Sequence, residues 1–110
     1  MNLVVSDASP IHYLILVDAI EALPKLFQRV IVPEYVISQE LQRPSTPSKV
    51  RTWISNLPPW VDVRRPSNAQ SLKLDRGEED AIALALEFRA PILLDLGSPI
   101  RARIIVANQL

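Results

Sequence analysis

Leu3 Val4 Val5 Ser6 Asp7 Ala8 Ser9 Pro10 is a short apolar run that stops on one carboxylate and passes straight into a helix start. A β-rich run of this length reads as a buried strand, and Ser9 followed by Pro10 has the chemistry of an N-cap and a first helical position. Asp7 is thereby placed at the carboxyl end of a strand. In an open α/β sheet that edge is where ligands bind, because its loops gather side chains around one crevice. Asp is also a common capping residue, so this stretch alone suits a turn as well as a site.

A length of 110 residues sets one domain, 1–110, and a hydrophobic content of 48% is that of a folded core. Ten prolines against two glycines imply stiff element boundaries rather than flexible linkers. Without cysteine there is no disulfide, no thiolate metal site and no Cys nucleophile. No basic leader and no long apolar run opens the chain, so the expectation is a cytoplasmic protein with neither signal peptide nor membrane span. Net charge is zero, and a nucleic-acid partner would need a local basic patch. Arg64 with Arg65 and Arg101 with Arg103 are the candidates, although paired arginines are usually solvated surface.

Along the chain, Ile11, Leu14 and Ile15 share a helical face after Pro10, and Asp18 can cap a second short helix carrying Ile20, Leu23 and Phe27. His12 is the single histidine and reads as a polar surface or packing residue. Val30 Ile31 Val32 is a second buried strand, and Pro33 opens a helix running from Glu34 to Leu41. There Glu40 shares a face with Val36, Ile37 and Leu41. A carboxylate on an apolar stripe needs a cation, a metal or a route to solvent, and Arg43 could also pair with it. Thr46 and Pro47 open another amphipathic helix through Leu57, Trp53 and Trp60 read as packing residues, and Trp60 to Val63 alternates as a third strand.

The second informative stretch is Leu74 Asp75 Arg76 Gly77 Glu78 Glu79 Asp80 Ala81 Ile82 Ala83 Leu84 Ala85 Leu86. Three consecutive acids occupy the first turn of a helix that is apolar thereafter. The helix dipole stabilises acids there, and an apolar helix opens near the middle of a molecule. Glu78 and Asp80 lie about 200° apart around the helix, so they serve different directions. Ile92 Leu93 Leu94 is a fourth strand ending on Asp95, and Ser98 Pro99 onward could form a last helix. Four strands alternating with helices define an α/β protein, a three-layer α/β/α sandwich with a central, mainly parallel sheet. Asp7, Glu40, Asp80 with Glu78, and Asp95 can then converge at one edge. Ionised acids held together need divalent cations, and oxygen-only ligands favour Mg²⁺ or Mn²⁺. Metal-dependent phosphodiester hydrolysis is the chemistry such a site performs.

With these residues the chain resembles the PIN-domain nuclease family, in particular its small prokaryotic toxin-like (VapC-like, DUF3368-type) branch. The likeness rests on Val5 to Pro10, on Val30 Ile31 Val32 Pro33 Glu34 with Glu40 Leu41, and on Leu74 to Ala85, and it covers residues 1–94. It implies a PIN fold, a Mg²⁺ or Mn²⁺ site and cleavage of single-stranded RNA, often as the toxin of a toxin–antitoxin pair. Asp7, Glu40 and Asp80 would be the catalytic, metal-binding acids, Asp95 a fourth, Glu78 a further acid and Ser9 a residue orienting Asp7. Asp95 stands one residue early and is followed by Leu96. Residues 95–110 diverge from the family and read as a shortened ending that lacks the last strand. An exposed sheet edge would invite a homodimer. The alternative reading is a catalytically impaired PIN-like module that binds an antitoxin or itself.

Overall fold

The structure is a computed structural model that describes residues 3–67, 75–98 and 101–105. The opening apolar run forms strand β1 (Leu3–Ser6), buried along its whole length. It lies between β2 (Arg29–Pro33) and β4 (Ile92–Ser98), parallel to both, with Val4 opposite Val30 and Ile92. β3 (Val61–Arg64) continues the sheet in parallel beyond β2, and β5 (Arg101–Ile105) pairs antiparallel with β4. The order is therefore β3-β2-β1-β4-β5. A strand paired on both edges and covered on both faces must be apolar at successive positions, which is why Leu3, Val4 and Val5 do not alternate with polar residues.

Each strand sends alternate side chains into two cores. Val4, Val30 and Val32 meet Ile11 and Ile15 of α1 (Ala8–Leu16), Leu23 of α2 (Ala22–Leu26) and Val36 of α3 (Glu34–Ser38). Val50 and Ile54 of α4 (Ser48–Ser55) complete that layer, against which the Trp53 and Trp60 rings pack with centroids 6.0 Å apart. Leu3, Val5, Ile31 and Leu93 face the other way, under Ala81, Leu84 and Ala85 of α5 (Arg76–Glu87). This is the three-layer α/β/α sandwich around four parallel strands that the sequence implies.

Local departures from the sequence reading have physical causes. Asp7, rather than Ser9, is the N-cap of α1, so the helix starts at Ala8. Asp18 adopts a positive φ of 59° and pairs with Lys49 at 2.5 Å instead of capping α2. The expected helix from Glu34 to Leu41 breaks at Gln39, and Glu40–Gln42 forms a separate 3₁₀ turn. Asp95 lies inside β4 rather than at its end. The expected last helix is instead β5, whose Arg103 stands opposite Asp95 and Ile104 opposite Leu94. β4 would otherwise present unpaired backbone groups, and the β-branched pair Ile104 Ile105 suits an edge strand better than a helix. The open edge from which self-association was expected is therefore covered.

Leu84 is fully buried beneath the sheet, whereas Leu86 two residues on is 43% exposed. Leu84→Ala is expected to cost about 2–5 kcal/mol of unfolding free energy. Leu86→Ala should stay within about 0.5 kcal/mol. Urea denaturation of the two variants checks the pair.

Candidate metal centre

The strand order reverses direction at β1, with β2 and β3 on one side and β4 and β5 on the other. The crevice outside the carboxyl ends of β1 and β4 is the switch point where such sheets bind ligands. Asp7 sits there. Its backbone N–H donates to the Leu94 carbonyl at 3.0 Å, which locks the end of β1 to β4. Its Oδ1 accepts from the Ala8 N–H at 2.8 Å, and the residue is only 5% exposed. Capping and site geometry are thus one arrangement, because the cap fixes the carboxylate at the crevice.

Glu40 approaches from its 3₁₀ turn, with 15% of its side chain exposed. The helix break at Gln39 takes it off the apolar stripe of Val36 and Ile37 and swings it toward the first turn of α5. Gly77 in that turn makes the approach possible: a β-carbon there would overlap Glu40 Oε1 and stand 2.9 Å from Asp7 Oδ1. Asp7 and Glu40 are therefore neighbours across a residue that has no side chain. Glu40 Oε1 is buried with no hydrogen-bond partner among the described residues. Burial, followed by the charge of Asp75, pushes the Glu40 carboxyl above its ordinary pKa; Arg43, 3.9 Å away, pulls it back, while Glu78 and Asp80 raise it further.

Asp75 is the residue that sequence reasoning passed over. It caps α5 by accepting the Glu78 N–H at 2.9 Å, the Asp-x-x-Glu spacing of a capping box. Carboxylate oxygens of Asp7, Asp75 and Glu78 all lie within 4.8 Å of one another, close enough to share one ion. Asp80, 4% exposed, faces a different direction, as its helical offset from Glu78 requires. Its Oδ2 accepts from Arg76 Nε at 3.2 Å, and the Arg76 guanidinium lies 4.8 Å from the centre of the Tyr35 ring. Asp80, Arg76 and Tyr35 line a cleft of about 430 Å³ together with Glu34, Ser38, Gln39, Arg65 and Pro66.

Of the residues expected from the sequence, Asp7, Glu40 and Glu78 thus gather around the first turn of α5, while Asp80, farther along that helix, turns to the Arg76 and Tyr35 side. Ser9 is exposed on α1 and His12 half-buried there. Asp95 follows Leu94, whose carbonyl holds Asp7, but its side chain lies outside the described residues. The supposed basic pair is engaged elsewhere: Arg64 bonds Asp62 at 2.8 Å and Arg65 pairs with Glu34. The donor set fits a hard divalent cation. It is all oxygen, it includes a buried oxygen that lacks a hydrogen-bond donor, and its carboxylates are crowded around a glycine.

A parallel sheet with a switch-point crevice lined by carboxylates defines the class: an α/β domain with an acidic centre. A family model described as DUF3368: PIN domain matches residues 3–98, and the chain belongs to the PIN-domain family. No curated protein and no solved structure matches it. PIN domains are nuclease-type domains that generally use divalent metals, and no helix among the described residues is long and apolar enough to cross a membrane.

Because its folded pKa is raised, Glu40 costs stability when ionised. Without metal, stability should fall as pH rises through the ordinary glutamate range toward the higher folded value, and remain lower above it. Glu40→Gln is expected to remove that part of the slope and to raise the melting temperature in EDTA at neutral pH, measured by thermal denaturation across pH. Gly77→Ala should leave the fold intact while displacing Glu40. Its Mn²⁺ affinity, read by calorimetry, should fall about 10–100-fold, the range for lost ligand-orienting contacts.

Proposed function

We propose that the chain is a metal-dependent endoribonuclease that hydrolyses phosphodiester bonds of single-stranded RNA. The observation that carries this reading is the Glu40 oxygen, buried without a donor, set against Asp7 across Gly77. A buried carboxylate left in that state is costly unless a cation completes it. Asp7, Glu40 and Asp80 are assigned as the catalytic acids that hold Mg²⁺ or Mn²⁺, with Asp95 as a fourth ligand from the adjacent strand. Glu78 and Asp75 support the same centre, and Ser9 orients Asp7 from the first turn of α1. When bound there, a divalent cation polarises the phosphoryl group and lowers the pKa of an attacking water.

The chain's own contribution is positional. The Ala8 N–H and the Leu94 carbonyl fix Asp7 against both strands, so its carboxylate does not reorganise as charge builds on the phosphate. The N-termini of α1 and α5 both open at the crevice and favour negative charge there. The likeness to the toxin-like branch supports a toxin role with an antitoxin partner. Tyr13, Leu16 and Val17, exposed on one side of α1, offer apolar surface to such a protein or to a second copy.

Purified protein with a labelled single-stranded RNA in Mn²⁺ is expected to cut, and to stop cutting in EDTA. Asp7→Asn keeps an oxygen for the Ala8 N–H, so its stability should change by less than about 1 kcal/mol. Its cleavage should fall by at least about a hundredfold. Cleavage that survives EDTA or the variant would remove the assignment, and a folded protein that neither cuts RNA nor binds Mn²⁺ would be the impaired binding module.

A further inference from the structure

We infer that Arg76 grips a backbone phosphate of the substrate next to the bond that is cut, in the cleft it shares with Tyr35, Ser38, Gln39 and Arg65. This rests on the RNA-cleaving reading above. Arg76 immediately precedes Gly77, so the turn that admits Glu40 and Asp7 also carries this cation. Helix energetics do not account for its presence. A cation in the first turn opposes the helix dipole, and an arginine preceding its acid by four residues is the weaker orientation of such a pair. What the surroundings do is hold the guanidinium still: Tyr35 lies against it at 4.8 Å and Asp80 takes its Nε–H at 3.2 Å.

With Nε committed to Asp80 and the Tyr35 ring against the guanidinium, the two Nη amino groups remain, among the described residues, as a fork. That fork matches two oxygens of a phosphate, and the side chain is 63% exposed, so a polymer can reach it. The cleft holds two acids, Glu34 and Asp80, against two arginines, Arg65 and Arg76. Each acid there is already paired, Glu34 with Arg65 and Asp80 with Arg76 Nε, so neither is a bare negative charge facing the incoming strand. Ser38 and Gln39 add uncharged polar groups, and a volume of about 430 Å³ is on the scale of small-ligand pockets, wide enough for a nucleotide unit. The cleft therefore suits the polyanionic strand that flanks the scissile phosphate.

The test reads binding apart from chemistry. In the Asp7→Asn background with Mn²⁺, a labelled single-stranded RNA is titrated at several NaCl concentrations, with and without Arg76→Ala. Loss of one phosphate contact should make the slope of log K against log salt shallower by about 0.7. Arg76→Lys keeps the charge and should restore most of the slope. In the otherwise wild-type chain, Arg76→Ala should raise KM several-fold with a smaller change in kcat. An unchanged slope together with an unchanged KM would leave Arg76 as only a structural partner of Asp80 and overturn the inference while the nuclease reading stands. A wild-type chain that neither binds nor cuts RNA would overturn both.

Discussion

The gathering of carboxylates of unequal burial, from fully buried Asp7 to exposed Asp75, at the first turn of α5 is the constraint around which this molecule is arranged. Asp7, Asp75 and Glu78 converge beside Glu40, which burial above all, and then the charges of Asp75, Glu78 and Asp80, make hold its proton more tightly than glutamate ordinarily does. Two features of the fold offset the repulsion among these acids without abolishing it. Asp7 and Asp75 are the caps of α1 and α5, so each spends an oxygen on a helix N-terminal N–H, and both helix dipoles present their positive ends to the cluster. The sheet beneath is rigid enough to keep the acids in place: β1 is paired on both edges and buried on both faces. The remaining repulsion is what the divalent cation of the proposed function would relieve.

The sheet's topology decides which residues meet. Leaving β1 toward β2 carries the chain to one side, and returning as β4 brings it back to the other, so the end of β1 faces a gap between oppositely wound halves. Into that gap project α1 from β1, the 3₁₀ turn after α3, and the first turn of α5. Residues as distant in sequence as Asp7, Glu40 and Gly77 thereby come into contact. The sandwich's two cores also hold these segments in place, through Val36 and Leu41 on one side and Ala81 and Leu84 on the other.

Much of this was legible in the residues because local and global signals agree. Apolar triplets at Leu3 to Val5, Val30 to Val32 and Ile92 to Leu94 can be little other than buried parallel strands, and each leads to an acid or a helix start. The placement of the acids was legible in part: Asp7, Glu40, Glu78 and Asp80 stand out as acids beside apolar segments, and the first three of them meet at the first turn of α5. What was hidden depended on tertiary contact. No proline or glycine marks the break at Gln39, which arises as Glu40 turns toward Gly77. Asp75 looked like sequence filler because its capping role and its place beside Asp7 are visible only once α5 is docked. The strand at Arg101–Ile105 was misjudged as a helix because its reason for forming lies in the unpaired edge of β4, not in its own periodicity.

Three local rules are broken within one turn of this structure. A glycine sits inside the first turn of a helix, where it loses more backbone freedom than alanine would. A cation stands beside it at the end where the helix dipole disfavours one. A carboxylate oxygen is buried against the glycine with no hydrogen-bond partner among the described residues. Each would be eliminated by selection for folding alone, and each has an easy repair: alanine for Gly77, glutamate for Arg76, glutamine for Glu40. Sequences that fold well break local rules chiefly where something other than folding is served. Here the three departures would share one resolution under the proposed function: the glycine makes room for the carboxylate, a metal ion would complete that carboxylate, and the arginine would meet the phosphate of the substrate.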